Sequence, residues 1–385
     1  MQLKNRLSII TSLLLSSTSL VAEDYISVQY MNYNEDNDRV EISAPSFEIN
    51  KDFGADYTLN LSYVQDALSG ATPTYYDITS GASAKLPEGV LYQNDIFYGD
   101  IPYKDKRDAY ALSLTKRFEN RDELTLGLSY SDEKDYESKG FSSEYLHYLD
   151  SSKNQSISLG FSYQKDNIDI YCFLGNSECD GISGASSKVV DKDLEVFSGE
   201  VGFTQIIDKS SLAKFSLFYI AEDGYLTNPY MRVVRNYNTT PQITQEQKPN
   251  SKNAMGLFLQ YSKALNSKTY FNSSYRIYSD SWNIDSHTLN SELFYRYSDK
   301  TTLGLGLRFY TQSDAKFYSG KRDYFTNEQY ASRDRRLSNI DSLNYKFSLE
   351  YDLNSDTTLN SSINYYEQID ILDALYYNFG IKYKF

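Results

Sequence analysis

Residues 343–353 read LNYKFSLEYDL, an unbroken alternation of apolar or aromatic side chains with polar or charged ones. Successive side chains of a β-strand point to opposite faces of a sheet, so this pattern predicts a strand with one apolar face and one polar face. The same alternation recurs in LTLGLSY (124–130), SISLGFSY (156–163) and TLGLGLRF (302–309). The chain is therefore predicted to consist of amphipathic strands.

The alternation predicts sixteen strands along the chain. They are expected to begin near Tyr25, Val40, Tyr57, Asp108, Leu124, Gly140, Gln155, Leu194, Leu212, Ala254, Thr269, Asp285, Thr302, Leu343, Leu359 and Leu372. An even number of strands brings both ends of the chain to the same side of a sheet or barrel.

The connections between these strands alternate in length. Short turns rich in Asp, Asn and Ser fall at 52–54, 119–121, 151–154, 208–210, 266–268, 299–300 and 354–356, and long loops are expected at 67–106, 167–193, 225–253 and 312–341. Six of the seven prolines lie in the long segments, where no ladder donor is needed. Pro45 is the exception, since it falls inside the second predicted strand.

Composition distinguishes a membrane barrel from a water-soluble sandwich. Tyr (38), Phe (20) and Trp (1) make up 15% of the chain, although 23% of its residues are charged. Aromatic residues are favoured at both membrane interfaces, and polar residues line an aqueous lumen. We therefore expect an all-β fold, a transmembrane antiparallel up-and-down β-barrel of about sixteen strands with short periplasmic turns and long extracellular loops.

The chain ends in LYYNFGIKYKF (375–385), an amphipathic strand that stops on Phe385. Such a last strand resembles the signal that the assembly machinery of bacterial outer-membrane barrels recognises. That machinery is accordingly an expected partner, together with the lipid bilayer, lipopolysaccharide and small solutes.

The first residues resemble a secretory signal peptide. Lys4 and Arg6 precede an apolar run that ends at Ala22, and no later run of 18 apolar residues predicts a transmembrane helix. We expect a signal peptide at 1–22, a barrel at 23–385 and an integral location in the outer membrane of a Gram-negative-type envelope.

Few features of the sequence carry chemistry. The net charge of −14 argues against nucleic-acid binding, which needs a basic surface. Cys172 and Cys179 predict a loop disulfide, because two cysteines without a nearby histidine fall short of a zinc site. His147 and His287 are the only histidines, and no nucleophile or cofactor motif accompanies them, so no enzyme and no cofactor is expected. A serine acting with His287 is the remaining enzymatic alternative.

Asp66, Ser69, Gly70 and Pro73 belong to the segment DALSGATP (66–73), which has a looser copy, DGISGAS, at 180–186. Turn-forming residues favour a structural entry into a loop. The alternative is a contact to calcium or another ligand, which would need further oxygen atoms from elsewhere in the fold.

Three segments carry a resemblance to a known family: SGATP at 69–73, YLTNPY at 225–230, which contains Pro229, and YRIYSDSWNIDSHT at 275–288. Together they resemble the DUF3570 family of uncharacterised outer-membrane barrels, over a range from about Tyr25 to Phe385. Ser281 and Asn283 depart from the family pattern, in which Asp and Gly are more usual.

The resemblance implies a barrel whose relatives are associated with envelope redox proteins. It marks Arg276, Tyr278, Trp282 and His287 as a hairpin at the rim of the barrel, where Trp282 and His287 either pin the rim or contact a ligand. Because sixteen strands leave an aqueous lumen unless loops fill it, we expect a porin-like channel for passive passage of small solutes. The alternatives are a plugged barrel that serves as a scaffold for envelope partners such as redox or electron-transfer proteins, and a barrel that binds ligands with its surface loops.

Overall fold

The computed structural model describes residues 23–36, 40–77, 96–171, 189–228, 231–321, 323–369 and 371–385. Sixteen antiparallel strands form a closed barrel, as the alternation predicts. The barrel strands are β1 (Tyr25–Glu35), β2 (Val40–Phe53), β3 (Tyr57–Asp77), β4 (Ile96–Arg117), β5 (Glu123–Glu133), β6 (Tyr136–Tyr148), β7 (Gln155–Tyr171), β8 (Val189–Asp208), β9 (Ser211–Gly224), β12 (Ser251–Ala264), β13 (Thr269–Asp280), β14 (Asp285–Ser298), β15 (Thr301–Gln312), β16 (Ile340–Asp352), β17 (Thr357–Gln368) and β18 (Leu372–Lys384).

Two smaller elements lie outside the barrel wall. The strands β10 (Arg232–Arg235) and β11 (Gln242–Gln245) pair as a separate hairpin, and a 3-10 helix spans Arg335–Leu337. Within the ranges given above, no helix is long and apolar enough to cross a membrane.

The barrel closes where β1 pairs with β18. Tyr25 lies opposite Lys384, Glu35 lies opposite Ala374, and the backbone N–H of Phe385 donates to the carbonyl of Asp24 at 3.1 Å. Closure removes the edge strands, so the backbone of the wall can form its hydrogen bonds internally, as a lipid environment requires.

The two faces of the wall differ as the alternation predicts. On β16 the outward side chains of Tyr345 and Phe347 are 48% and 46% exposed, whereas the inward Ser342 and Asn344 are 1% and 8% exposed. Outward tyrosines also form rows across neighbouring strands, for example Tyr63, Tyr110 and Tyr130, whose ring centroids are 5.0 and 6.5 Å apart. A closed barrel with an apolar outer face and aromatic rows is an integral protein of the bacterial outer membrane.

The predicted loop at 67–106 is mostly strand. β3 continues to Asp77 and β4 begins at Ile96, so the pair extends beyond the neighbouring strands as a two-stranded ribbon. The last partner of β2 on β3 is Gly70, and the last partner of β5 on β4 is Asp108. Beyond those residues the two strands pair with each other and, as far as the structure describes the chain, with no third strand.

The ribbon explains two prolines that the sequence analysis placed in a loop. Pro73 lies in β3 opposite Asp100, and Pro102 lies in β4 opposite Ala71. The outer edge of each ribbon strand pairs with no other strand of the described chain, so the missing N–H of a proline need not remove a ladder hydrogen bond there.

Pro45, the proline inside a predicted strand, does lie within β2. It is exposed on the outer face and opposite Tyr30 of β1. The ladder between β2 and β3 runs up to Ser43 and resumes at Ser46, so Pro45 has no partner on β3. The missing donor therefore falls at a local gap in that ladder.

The connection predicted at 167–193 is shortened, because β7 continues to Tyr171 and β8 begins at Val189. The long connections predicted at 225–253 and 312–341 are confirmed at 225–250 and 313–339, and the first of them contains β10 and β11. Cys172 and Cys179 lie outside the described residues, as does the predicted signal peptide at 1–22. The disulfide and the signal peptide therefore stay predictions.

Gly224, the last residue of β9, is required where the chain leaves the wall. Its φ of +128° is one that L side chains rarely adopt, and a Cβ there would collide with the carbonyl of Asp193 and lie 2.8 Å from Cα of Leu194. We predict that Gly224→Ala destabilises the barrel by about 1–3 kcal/mol or more. The readout is the urea midpoint at which the folded barrel loses its faster gel mobility.

Gly199→Ala is the matched control for this experiment. A Cβ at Gly199 would have Gly160 O, at 3.9 Å, as its nearest neighbour. Equal midpoints for the two variants would contradict the steric requirement at Gly224.

Candidate functional site: a cap over the lumen

Two loop segments at the external end fold over the lumen, and we call them together the cap. The first covers residues 225–250 and joins β9 to β12, and the second covers residues 313–339 and joins β15 to β16. The hairpin β10–β11 of the first segment contacts β3, which lies six strands away from β9 around the barrel. The cap therefore reaches across the mouth.

The two segments of the cap are joined to each other. Gln247 and Ala331 form an antiparallel bridge in which each backbone N–H donates to the other carbonyl at 2.9 Å. Val233, Phe325 and Ala331 pack together in a small buried cluster. Because hydrogen bonds and apolar contacts connect them, the two segments act as one unit.

A contiguous apolar layer attaches the cap to the inner wall. Near the external end the inner face of the wall changes from polar to apolar, with Ile168, Ile170 and Leu194 at 2%, 0% and 0% exposure. The buried members of the layer are Tyr136, Ile168, Ile170, Leu194, Val196, Tyr225, Leu226, Trp282, Ile284, Ala315, Phe317 and Leu337. The layer extends from β6–β8 to both cap segments, so the cap is packed against the wall and is not a free loop.

Trp282 is the part of the predicted rim hairpin that joins this layer. Its ring meets that of Phe317 edge-on at 5.1 Å, and its Nε1 donates to the carbonyl of Ser251 at 3.0 Å. One carboxylate oxygen of Asp280 accepts the backbone N–H groups of Trp282 at 2.9 Å and Ile284 at 3.0 Å. This geometry supports the pinning role that the sequence analysis considered for Trp282.

Asn283 accounts for the departure of this hairpin from the family pattern. Its φ is 74°, in the left-handed region. Glycine is the usual residue there, but asparagine adopts this conformation more readily than other side chains. The turn therefore forms without the glycine that the resemblance leads one to expect.

His287 lies on the other face of the wall from the lumen. Its Nδ1 is 2.8 Å from the hydroxyl of Tyr275, with which it also stacks on the outer surface. His147 is likewise on the outer surface, at the periplasmic end, with Nδ1 2.8 Å from Asp122. Among the described residues, the two histidines thus have a tyrosine and an aspartate as side-chain partners.

The remaining predicted positions lie on a different part of the barrel. Asp66, Ser69, Gly70 and Pro73 are all in β3 and do not enter a loop. The carboxylate of Asp66 is paired with Arg107, so its charge is neutralised within the wall. Pro229 lies outside the described residues.

A group of three carboxylates lies near Asp66 at the external end of the wall. Oxygen atoms of Asp105, Glu133 and Asp135 lie within 4.8 Å of one another, a spacing that a cation could bridge. Asp66 is not part of this group, so the calcium contact considered for 66–73 does not coincide with it.

A buried cluster of charges holds the inside of the cap. The ammonium of Lys248, which is fully buried, lies 2.8 Å from Glu246 and 3.2 Å from Asp334. Arg336 adds a donor from its Nε to Asp334 at 2.8 Å. Glu246 also accepts the hydroxyl of Ser332 at 2.5 Å. These contacts link the first cap segment to the second.

The charge state of Asp334 follows from these neighbours. Burial alone would raise its pKa, but the positive charges of Arg336 and Lys248 hold the pKa well below 3.8. Asp334 is therefore ionised throughout the physiological range, and the buried cluster contains two cations and two anions.

This buried cluster was not predicted from the sequence. Glu246 and Lys248 stand in an ordinary polar run, and the one visible signal is the charged stretch RDRR at 333–336. A charge run is usually solvated, so burial of these groups becomes apparent only when the two segments are brought together.

A cavity of about 360 Å³ lies between the cap and the rim above β9 and β12. Its lining includes Tyr225, Tyr330, Gln247, Gln329 and Asn250. Most of this lining is polar, but Glu246 and Lys248 reach it with their charges already paired to each other. The exposed side chain of Asp223 also lines the cavity, which therefore offers amides, aromatic rings and one acidic group.

The buried cluster predicts the effect of Lys248→Met. Removing the ammonium leaves two carboxylates in the cap without their shared cation, a change that costs about 3–5 kcal/mol for a buried pair. We expect chymotrypsin to cleave the first cap segment faster in this variant than in the unaltered protein, as followed by mass spectrometry.

Lys263→Met serves as the control, because Lys263 pairs with Asp208 at 3.2 Å in an exposed contact at the periplasmic end. It should leave cap cleavage unchanged. Equal cleavage rates for both variants would show that the buried cluster does not hold the cap.

The lowered pKa of Asp334 also predicts a pH dependence. A depressed carboxyl pKa contributes stability above the unfolded value of 3.8 and loses it only as the pH falls through the lower folded value. The cleavage rate of the cap by a protease active over this range should therefore stay constant between pH 8 and pH 5. Opening near pH 6 would show that another group controls the cap.

The comparisons with known proteins agree with the barrel. CdiB from Acinetobacter baumannii is similar with a TM-score of 0.52 and 8% identity, over 94% of this chain and 60% of that one. OmpT, an outer membrane protein of Vibrio cholerae, is similar with a TM-score of 0.45 and 8% identity, over 94% and 97%. The likeness at this identity concerns the fold alone.

The ferric enterobactin receptor PfeA of Pseudomonas aeruginosa has a TM-score of 0.47 and 11% identity, over 90% of this chain and 54% of the receptor. The chain thus spans about half the length of that receptor. Curated proteins include no match to the sequence. The family model described as "Protein of unknown function (DUF3570)" matches residues 8–372, nearly the whole chain, and the protein therefore belongs to the DUF3570 family.

Proposed function

We propose that the protein is a channel for passive passage of small solutes, whose external mouth is narrowed by the cap. The observation that supports this proposal is a polar inner wall beneath a cap that is formed by the barrel's own loops. A barrel of sixteen strands is wide enough to leave an aqueous lumen unless something fills it. The cap would restrict the size of the solute, so the channel is narrower than an open pore of the same strand number.

The inner wall supports passage of polar solutes. Outside the apolar layer it carries hydroxyl, amide and charged side chains, among them Ser342, Asn344, Asn364 and the ion pair of Lys346 with Glu292 at 3.0 Å. Such a surface stays hydrated. No catalytic role is part of this proposal, because His287 faces the lipid side of the wall.

The proposal includes the partners that the sequence leads us to expect. The outer face would contact phospholipid and lipopolysaccharide. The strand β18, ending at Phe385, would be recognised by the assembly machinery of the outer membrane. Both rest on the amphipathic character of the wall.

A second candidate function, a scaffold for envelope partners, is favoured by a specific observation. The cap is fixed by an apolar layer and a buried charge cluster, as expected of a permanent plug. In addition, within the described ranges the outer ladder edges of the ribbon of β3 and β4 pair with no other strand, so an extended segment of another protein could add a strand there. A scaffold would need no conduction.

Single-channel recording in a planar bilayer tests the channel. We predict small, steady steps for the intact barrel and larger steps when residues 227–248 are replaced by a short Gly–Ser linker. Gly199→Ala, at a position of β8 where a Cβ has no neighbour closer than 3.9 Å, is the control and should leave the step size unchanged.

Folding of each variant is verified by gel mobility before recording. Silence of the intact barrel with current only after cap replacement would make the cap a plug and favour the scaffold. Silence of both folded proteins would reject the channel altogether.

A further inference from the structure

Two arginines on the inner wall are close neighbours in the barrel register. Arg276 of β13 lies opposite Thr288 of β14, which in turn lies opposite Tyr310 of β15. Arg308 is two residues from Tyr310 on the same face of β15. Neighbouring strands are about 4.8 Å apart, so the two backbones are about 10 Å apart across the sheet, within joint reach of two arginine side chains.

Neither guanidinium group forms an ion pair within the part of the chain that the structure describes; Glu200 exerts an electrostatic effect on Arg276 but is itself paired with Lys214. Among the described residues, no carboxylate lies within 4.0 Å of Arg276 or Arg308, and neither side chain donates a hydrogen bond to a protein acceptor. Other cations of the inner wall are paired, such as Lys346 with Glu292 at 3.0 Å and Lys214 with Glu200 at 3.6 Å.

Aromatic rings fix the positions of both guanidinium groups. Cζ of Arg276 lies 4.8 Å from the ring centre of Phe218 and 5.5 Å from that of Tyr278, and Cζ of Arg308 lies 5.4 Å from that of Tyr310. Cation–π contacts stabilise the charge without using the N–H donors. Those donors therefore remain available to a solute.

The arginines lie directly beneath the cap. On β13 the inward residues above Arg276 are Tyr278 and Asp280, and the turn that follows carries Trp282 of the apolar layer. On β15 the inward residue above Tyr310 is Gln312, whose amide donates to the carbonyl of Arg336 in the cap at 2.9 Å. A solute that passes the cap on this side meets the arginines next.

We propose that Arg276 and Arg308 form a binding site for small oxoanions, such as a carboxylate or phosphate group, at the inner side of the cap. Guanidinium groups are planar donors that match the oxygens of such anions in pairs, and a bound anion would relieve the repulsion between the two like charges. Such a site would make the channel selective for anions, and this consequence rests on the proposed channel function. Binding of the anion does not depend on that function.

Reversal potentials across a potassium chloride gradient test the selectivity, and Arg276→Gln combined with Arg308→Gln removes both charges. We expect the intact channel to prefer chloride, and its anion-to-cation permeability ratio to fall about fivefold or more in the double variant, the effect of a unit charge about 4 Å from an ion in water. Arg276→Lys combined with Arg308→Lys should keep most of the preference. Lys268→Gln combined with Lys300→Gln, at two exposed periplasmic turns, removes the same number of charges and is the control that should change nothing.

Inorganic phosphate provides a readout that does not depend on current. It should raise the thermal midpoint of the folded protein, at constant ionic strength, more than it raises that of the double glutamine variant. Phosphate stabilises proteins generally by exclusion from their surface, so only the difference between the two proteins reports the site.

The outcomes separate the site from the channel. A channel that conducts without anion preference, together with equal phosphate stabilisation of both proteins, would overturn the site and leave the channel intact. A silent barrel whose phosphate stabilisation requires the arginines would keep the site and reject the channel.

Discussion

The structure depends on one constraint: within lipid, a backbone N–H or carbonyl group finds no water to bond with. Closure of the wall between β1 and β18 satisfies these groups, and it converts the alternation of side chains into an inside and an outside. Tyr345 and Phe347 then have to contact lipid while Ser342 and Asn344 face the lumen. The polar interior is thus a consequence of closure and needs no separate cause.

The cap arises where that rule is broken. Ile168, Ile170 and Leu194 are apolar but point inward, and they would lie in water if nothing covered them. Burying an apolar side chain of this size stabilises the fold by about 1.5–3 kcal/mol. A row of inward apolar side chains therefore favours the packing of nearby loops against it. Leu226, Phe317 and Trp282 pack against these inward side chains and bury them. An apolar inner face at one end of a barrel is therefore a sign of a docked loop.

The barrel could be predicted because it follows from a pattern among neighbouring residues. The cap could not, because it depends on contacts between residues that are far apart in the sequence. The sixteen strands follow from alternation, a property of neighbouring residues, and even Pro45 fits because it falls at a gap in the ladder. The extent of the ribbon was missed because prolines and glycines in 67–106 indicate a loop, whereas free edges tolerate them. The contact between Lys248 and Asp334 joins residues far apart in sequence, and no local pattern reports such a pair. Trp282 was identified through its motif, but its partner Phe317 was not.

The pairing of charged side chains depends on whether they are buried in the cap or face the aqueous lumen. In the cap, Lys248, Glu246 and Asp334 are buried and Arg336 is partly buried, so these groups pair with one another, because a lone buried charge would cost more than the fold could sustain. Arg276 and Arg308 lie half-buried just beneath that region, where the lumen can still supply water or a solute. A cation that needs no protein partner there is tolerated because something from solution can serve as the partner. A charge that is buried away from water needs a partner within the protein, as in the cap, whereas a charge that water or a solute can reach does not, as at these arginines. The apolar layer separates the two regions.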